Sequence, residues 1–256
     1  MLLKEQIRSI VKNQLALDLG CEASLLDAPE NTVLEWRDLP GRRRYGEDAP
    51  FLELAVWNGV LKASCAAPLL PWAREFLTPR QAEWLFKFNS LKKIDAALAP
   101  FGYELGEAVR YFLPALPAAP AAPLQPVRWY EGAELEQFRG DCRWDGPLAF
   151  NPLFPDMLAV AALDGTGAPC AMAGVSRDGA RLWQIGITVL PPYRGRGLAA
   201  NLTALIRDEL LSRDIVPFYG TAESHIISQN VAISAGFRPA FGYLYAQKIP
   251  PQLNQA

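Results

Sequence analysis

The 256 residues carry 25 basic and 27 acidic side chains, and half of them are hydrophobic. That balance is globular rather than disordered, and without a net basic field neither nucleic acid nor a membrane surface is an expected partner, which leaves a small molecule. One histidine, His225, excludes a zinc site built on paired imidazoles, and Cys21, Cys65, Cys142 and Cys170, scattered without a CxxC pair, are expected to be reduced and mostly buried rather than a disulfide framework.

The opening stretch MLLKEQIRSIVKNQLALDLG starts with leucines, as an export signal would, but Lys4, Glu5, Arg8 and Lys12 interrupt it. Leu3, Ile7, Ile10, Val11 and Leu15 follow helical spacing, so an amphipathic helix is expected. No apolar run approaches the roughly 20 residues that span a bilayer, and the expected location is the cytoplasm.

Further on, Arg42, Arg43 and Arg44 read as a solvated loop, since no helix start or aromatic interleaving accompanies them. FLELAVWNGVLKASC holds two β-rich runs around Asn58-Gly59, the pair suited to a type I′ hairpin because both central residues need positive φ. Helices are predicted around Pro71 to Leu77 and over Gln81 to Leu98, the second with Trp84, Leu85, Phe88, Leu91, Ile94 and Leu98 along one side. GYELGEAVRYFLP returns to extended or short helical structure.

Residues 113 to 126, LPALPAAPAAPLQP, read as a semi-rigid extended linker, because proline removes backbone donors and disfavours helix and sheet. This places an α/β domain at residues 1–112 and a second domain at 127–256. In the second, strand-like runs are predicted at 156–163, 168–176 and 181–190, the first two joined by an Asp164-to-Gly167 hairpin. A helix from Leu198 to Arg213, a strand at 215–222, a shorter helix ending at Gly236 and a last extended piece complete the order β-β-β-α-β-α-β.

Between the third strand and the long helix lies PPYRGRGLAANLTALI. A Gly-rich turn entering a helix exposes several backbone N–H donors at the positive end of the helix dipole, where an anion gains charge-assisted hydrogen bonds. Gly195 and Gly197 are expected because a Cβ there would obstruct the anion or the turn, and Arg194 and Arg196 add charge at the rim. Each such contact contributes only about 0.3–2 kcal/mol, which points to a pyrophosphate with several donors. Neither GxGxxG nor GxxxxGK[ST] is present, so nicotinamide, flavin and nucleoside triphosphate lose their usual support.

The arrangement Val189-x-Pro191-x-Tyr193-Arg194-Gly195-Arg196-Gly197-Leu198-Ala199 resembles the acyl-CoA site of the GNAT superfamily of N-acetyltransferases, whose signature is Arg/Gln-x-x-Gly-x-Gly/Ala. The resemblance continues through SQNVAISAGFRP to Gly236-Phe237 and covers about residues 127–248. It implies an α/β (α+β) fold with a mixed, mostly antiparallel central sheet flanked by helices. The first half is then either a degenerate copy of that fold or an unrelated cap, walling one side of the acceptor site.

By the same resemblance, backbone groups of Ile187, Thr188 and Val189 pair with the pantetheine arm of acetyl-CoA, as a small-molecule form of strand addition. Backbone N–H groups of Gly195, Arg196, Gly197, Leu198, Ala199 and Ala200 hold the pyrophosphate, and the Val189 amide polarises the thioester carbonyl. His225 stands where relatives carry a cofactor-contacting asparagine, and Ser228 where one branch carries a serine. The family's usual acid, a tyrosine five residues before the closing Phe, is here Ala232. Ser228, Tyr219, Tyr243, Tyr245 or water is left to protonate the thiolate, and Glu223, Asp178 or Asp145 to take the amine proton. The implied activity is direct acetyl transfer from acetyl-CoA to a primary amine, of a small molecule or a peptide, by a monomer or homodimer without a metal. Cys142 and Cys170 are poor candidates for an acyl intermediate, and a non-catalytic acyl-CoA sensor is the alternative.

Overall fold

The computed structural model describes residues 2–44 and 49–250. The chain forms two compact units, one of residues 1–14 and 111–239, the other of 15–110 and 240–256. In chain order the elements are α1 (Lys4–Asp18), β1 (Thr32–Glu35), β2 (Leu52–Trp57), β3 (Val60–Cys65), α2 (Leu70–Leu77), α3 (Phe88–Leu98), β4 (Tyr103–Pro114), β5 (Val127–Glu131), β6 (Asp156–Leu163), β7 (Pro169–Ser176), β8 (Leu182–Val189), α4 (Leu198–Ser212), β9 (Val216–Ala222), α5 (Ile226–Ser234) and β10 (Phe237–Lys248). Each unit is a mixed, mostly antiparallel sheet flanked by helices. No helix among the described residues is long and apolar enough to cross a membrane.

In the first unit the strands run β9-β8-β7-β6-β5. Pairing is antiparallel from β5 to β8 and parallel between β8 and β9. Strand β5 is additional to the runs read from the sequence. Helix α4 buries Leu198, Leu202, Ile206 and Leu210, the i, i+4 stripe of an amphipathic helix, against Val160, Ala173 and Ile185 of the sheet.

The other sheet face carries a feature that periodicity does not reveal. Gly174 of β7 and Gly186 of β8 are cross-strand partners, and a side chain on either would strike the backbone of Pro147 or Gly146. The glycine pair lets the segment at Gly146 and Pro147 lie directly on the sheet.

Residues 115–126 are not a free linker. The Ala115 N–H donates to the Gly236 carbonyl at 2.8 Å, the Arg207 guanidinium to the Ala119 carbonyl at 3.1 Å, and the Ala121 N–H to Asp208 at 2.7 Å. Asn201, in the first turn of α4, donates to the Ala122 carbonyl at 2.8 Å and accepts from the Leu124 N–H at 3.1 Å. The segment is a strap laid along α4 within its own unit, and proline limits its internal pairing so that side chains of the helix supply the partners. The units therefore do not follow the chain as a head-and-tail split at 113–126.

In the second unit the order is β1-β3-β2-β10-β4, with β1 parallel to β3 and β2 antiparallel to both β3 and β10. Asn58 (φ 50°) and Gly59 (φ 78°) form the hairpin turn between β2 and β3, as their identities require. The expected helix over 81–98 is shorter: a 3₁₀ turn covers Ala82–Trp84, Lys87 is extended, and α3 starts at Phe88. Leu85, Ile94 and Leu98 enter the core, whereas Trp84 and Phe88 stay exposed and Lys87 sits over the Trp84 ring.

Arg42 and Arg43 correct the expectation of a solvated loop. Arg43 is 1% exposed, with its Nε 2.8 Å from Asp18, and Arg42 reaches Glu53 at 2.6 Å. Only Arg44 of the three lies at the surface, against Asp38. Two inward-facing carboxylates, distant in sequence, draw the arginines in, because a buried charge requires a partner. The four cysteines are free thiols; Cys65 and Cys170 are buried, Cys21 is half-buried and Cys142 exposed.

Candidate functional site

Strands β8 and β9 are in register only from Leu182↔Val216 to Gln184↔Phe218. Beyond that β8 runs on without a strand partner on that side among the described residues. The Leu190 N–H donates to the Cys170 carbonyl at 3.0 Å, which sets the antiparallel alternation between β7 and β8. Thr188 therefore spends its backbone groups on Met172, while Ile187 and Val189 turn theirs away from β7, into the gap. The expectation that Thr188 offers backbone groups to a ligand is corrected by this register. The Val189 carbonyl accepts from Arg194 Nε at 3.1 Å, so Val189 presents its N–H to the gap.

The gap continues into the Gly-rich turn. Gly195 and Gly197 adopt φ of 74° and 77°, the left-handed region that disfavours a Cβ. A Cβ on Gly195 would meet nothing within 4 Å, so backbone conformation rather than crowding selects glycine there. Gly197 is the N-cap of α4; no side chain caps the helix and its first turn holds no acidic residue. The first bond of the helix runs from Asn201 N–H to Gly197 O, leaving the N–H groups of Leu198, Ala199 and Ala200 without intrahelical acceptors. They form a ready anion cradle at the positive end of the helix dipole.

One cleft of about 700 Å³ joins these parts. Ile187, Thr188, Val189, Arg194, Gly195, Gly197, Leu198, Ala199, Ala200, His225 and Ser228 line it, together with Tyr193, Tyr219 and the α5 residues Ile227, Asn230, Val231 and Ser234. Ile227, Asn230, Val231 and Ser234 stand at i, i+3, i+4 and i+7 on one face of α5 beside Ser228, a signal in the sequence once α5 is known to form a wall.

Two side-chain pairs organise the cleft. Tyr219, 3% exposed, shares a hydrogen bond of 2.9 Å with Ser228, and burial pushes its phenol above the ordinary tyrosine range. Tyr193 donates to Asp164 at 2.9 Å, tying the turn to the β6–β7 hairpin. Asp164 also accepts from the Thr166 hydroxyl and from the N–H groups of Thr166 and Ala168, and these bonds, the Thr166 hydroxyl foremost, lower its carboxyl to about 2.

Six of the candidate residues are not among the lining. Arg196 turns back, donating to the Pro192 carbonyl and lying over the Tyr193 ring. Glu223 is exposed past the end of β9, its carbonyl accepting from Gln229. Tyr243 is a correction: it is wholly buried in the second unit, under Arg43, and Tyr245, two residues on, also belongs to that unit. Ala232 is wholly buried as well. Of the other carboxylates weighed, Asp178 accepts from Ser176 at 2.7 Å, and Asp145 is exposed, just before Gly146 above β8. No carboxylate stands among the lining residues.

No family model matches the sequence, and no curated protein does. Among solved structures the chain is similar to GNAT-family acetyltransferases. One, from Colwellia psychrerythraea, is 11% identical with a TM-score of 0.46, over 97% of this chain and 98% of that one. A GCN5-related N-acetyltransferase-like protein from Streptococcus suis is 15% identical with a TM-score of 0.46, over 94% and 98%. An aminoglycoside N-acetyltransferase in complex with CoA is 19% identical with a TM-score of 0.34, over 51% of this chain and all of its own.

Proposed function

We propose that this chain is a GNAT-type N-acetyltransferase that moves acetyl from acetyl-CoA to a primary amine. The observation that carries the reading is the continuity of the Val189 N–H, in the unpaired stretch of β8, with the uncapped first turn of α4 in a single cleft. The cradle suits a pyrophosphate, and the strand edge suits an extended amide-bearing arm. Acetyl-CoA, when bound, supplies an activated thioester.

The residues then act as follows. The Val189 N–H is a fixed donor for the oxygen that gains charge as the amine adds to the carbonyl, which favours the transition state over the ground state. The tetrahedral adduct expels the thiolate, the Tyr219–Ser228 pair hands the sulfur a proton, and the proton that the adduct's nitrogen sheds through water restores the phenol. Tyr219, held protonated by burial, is the source, and Ser228 reaches the cleft as the relay. With no carboxylate in the lining, the amine enters in its neutral form or gives its proton to water; an amine with a pKa near 10.4 is neutral about once in 2,500 molecules at pH 7.

The test is calorimetric titration with acetyl-CoA and with CoA, on the wild type and on Gly197→Asp, followed by a thiol-release screen across amines. Micromolar binding that is lost in the variant, and amine-dependent thiol release, support the reading. A folded wild type that binds neither compound overturns it.

A further inference from the structure

The strap ends at the anion cradle. Leu124 is 61% exposed although the backbone around it is fastened: its N–H is held by Asn201, the preceding Ala122 carbonyl by the same side chain, and the following Gln125 by its Nε2 bond to the Leu163 carbonyl at 2.8 Å. Asn201 presents its amide to the strap as a neighbouring strand would, one donor and one acceptor to residues two apart. Its own backbone N–H closes the first turn of α4 on Gly197. One residue thus joins the cradle to the strap. The Leu124 side chain lies against Gly197, where a Cβ placed on the glycine would meet its Cδ1 at 3.5 Å.

We infer that Leu124 is a specificity-determining residue of the acyl-CoA site, an apolar shelf for the nucleotide end of the ligand, and that Asn201 positions it. This rests on the proposed function. A ligand whose arm follows β8 and whose pyrophosphate sits on the first turn of α4 has its nucleotide leaving the cradle at its outer rim. Leu124 lies beyond the cleft lining, at Gly197 on that rim. A flat purine covering a leucine fixed in place removes apolar surface from water without ordering a flexible loop, so little conformational entropy opposes the contact. Arg194 and Arg196, both exposed on the same turn, add a cationic border suited to the phosphates there.

The experiment compares two probes by calorimetry: acetyl-CoA, and S-acetyl-4′-phosphopantetheine, which lacks the nucleotide. Leu124→Ala is expected to weaken acetyl-CoA about tenfold while changing the truncated probe less than about twofold, and Leu124→Phe to retain acetyl-CoA affinity. Because Leu124 is exposed, neither variant threatens the core. Asn201→Ala is expected to give the same preferential loss. Equal losses on both probes, or no change on either, overturn the inference while leaving the acetyl-CoA site standing. A wild type that binds neither probe overturns the proposed function, and this inference with it.

Discussion

The phenol of Tyr219 and the hydroxyl of Ser228 lie 2.9 Å apart, one on β9 and the other on α5, and both residues line the cleft. Tyr219→Phe is expected to slow acetyl transfer by roughly tenfold to a hundredfold while leaving the acetyl-CoA dissociation constant within about twofold. Ser228→Ala should do the same, and the double variant should be little worse than either single one if, as proposed, the two share one proton path. Burial raises the phenol, so the wild-type rate should persist above pH 10 and then fall, and that alkaline limb should vanish in Tyr219→Phe. Transfer by Tyr219→Phe at the wild-type rate with an unchanged alkaline limb would reduce the pair to a structural contact.

Gly186→Ala tests the sheet face opposite α4. The added methyl meets the Gly146 carbonyl, backbone that cannot swing aside, so the variant is expected to lose about 1–3 kcal/mol of stability. Thermal denaturation reads this directly, and Gly165→Ala, where a Cβ meets nothing within 4 Å, is the control. Equal melting of the two variants would mean that the segment at Gly146 and Pro147 does not press on the sheet.

Asp164 bears on pH. Its carboxyl is lowered to about 2 by the Thr166 hydroxyl, then the Thr166 N–H and the Tyr193 hydroxyl. A depressed carboxyl contributes stability above its unfolded value near 3.9, and that contribution is lost as pH falls through about 2. The tie from Tyr193 to Asp164 should therefore survive at pH 4. A carbon-detected NMR titration should place the Asp164 midpoint near 2, and Tyr193→Phe should move it upward. A midpoint near 4 in the wild type would refute the tie.

What was legible in the sequence is what local chemistry dictates. Asn58-Gly59 names its own turn, the Leu198-to-Leu210 stripe names its helix, and the two glycines of the Arg194–Gly197 turn follow from positive φ. Eleven of the expected cofactor-site residues reach one cleft because they are consecutive or one helical turn apart, and backbone geometry carries them there. Contacts across long separations were not legible. Nothing near Arg43 announces Asp18, and nothing in a proline-rich run announces Asn201, Arg207 and Asp208 as its anchors. Tyr219 and Tyr243 are both tyrosines of late strands, and sequence alone does not tell them apart. The strands differ in their surroundings, and only Tyr219 meets a hydroxyl on α5.

The interleaving of the two units bears on biosynthesis. Because residues 240–250 complete a unit whose other members begin at Leu15, that unit stays open on the ribosome until all of the first unit's residues have emerged as well. The first unit, which needs residues 1–14 beside 111–239, waits almost as long. A nascent chain halted at the strap would expose the apolar faces of both units, and that stage of synthesis is where a chaperone would act.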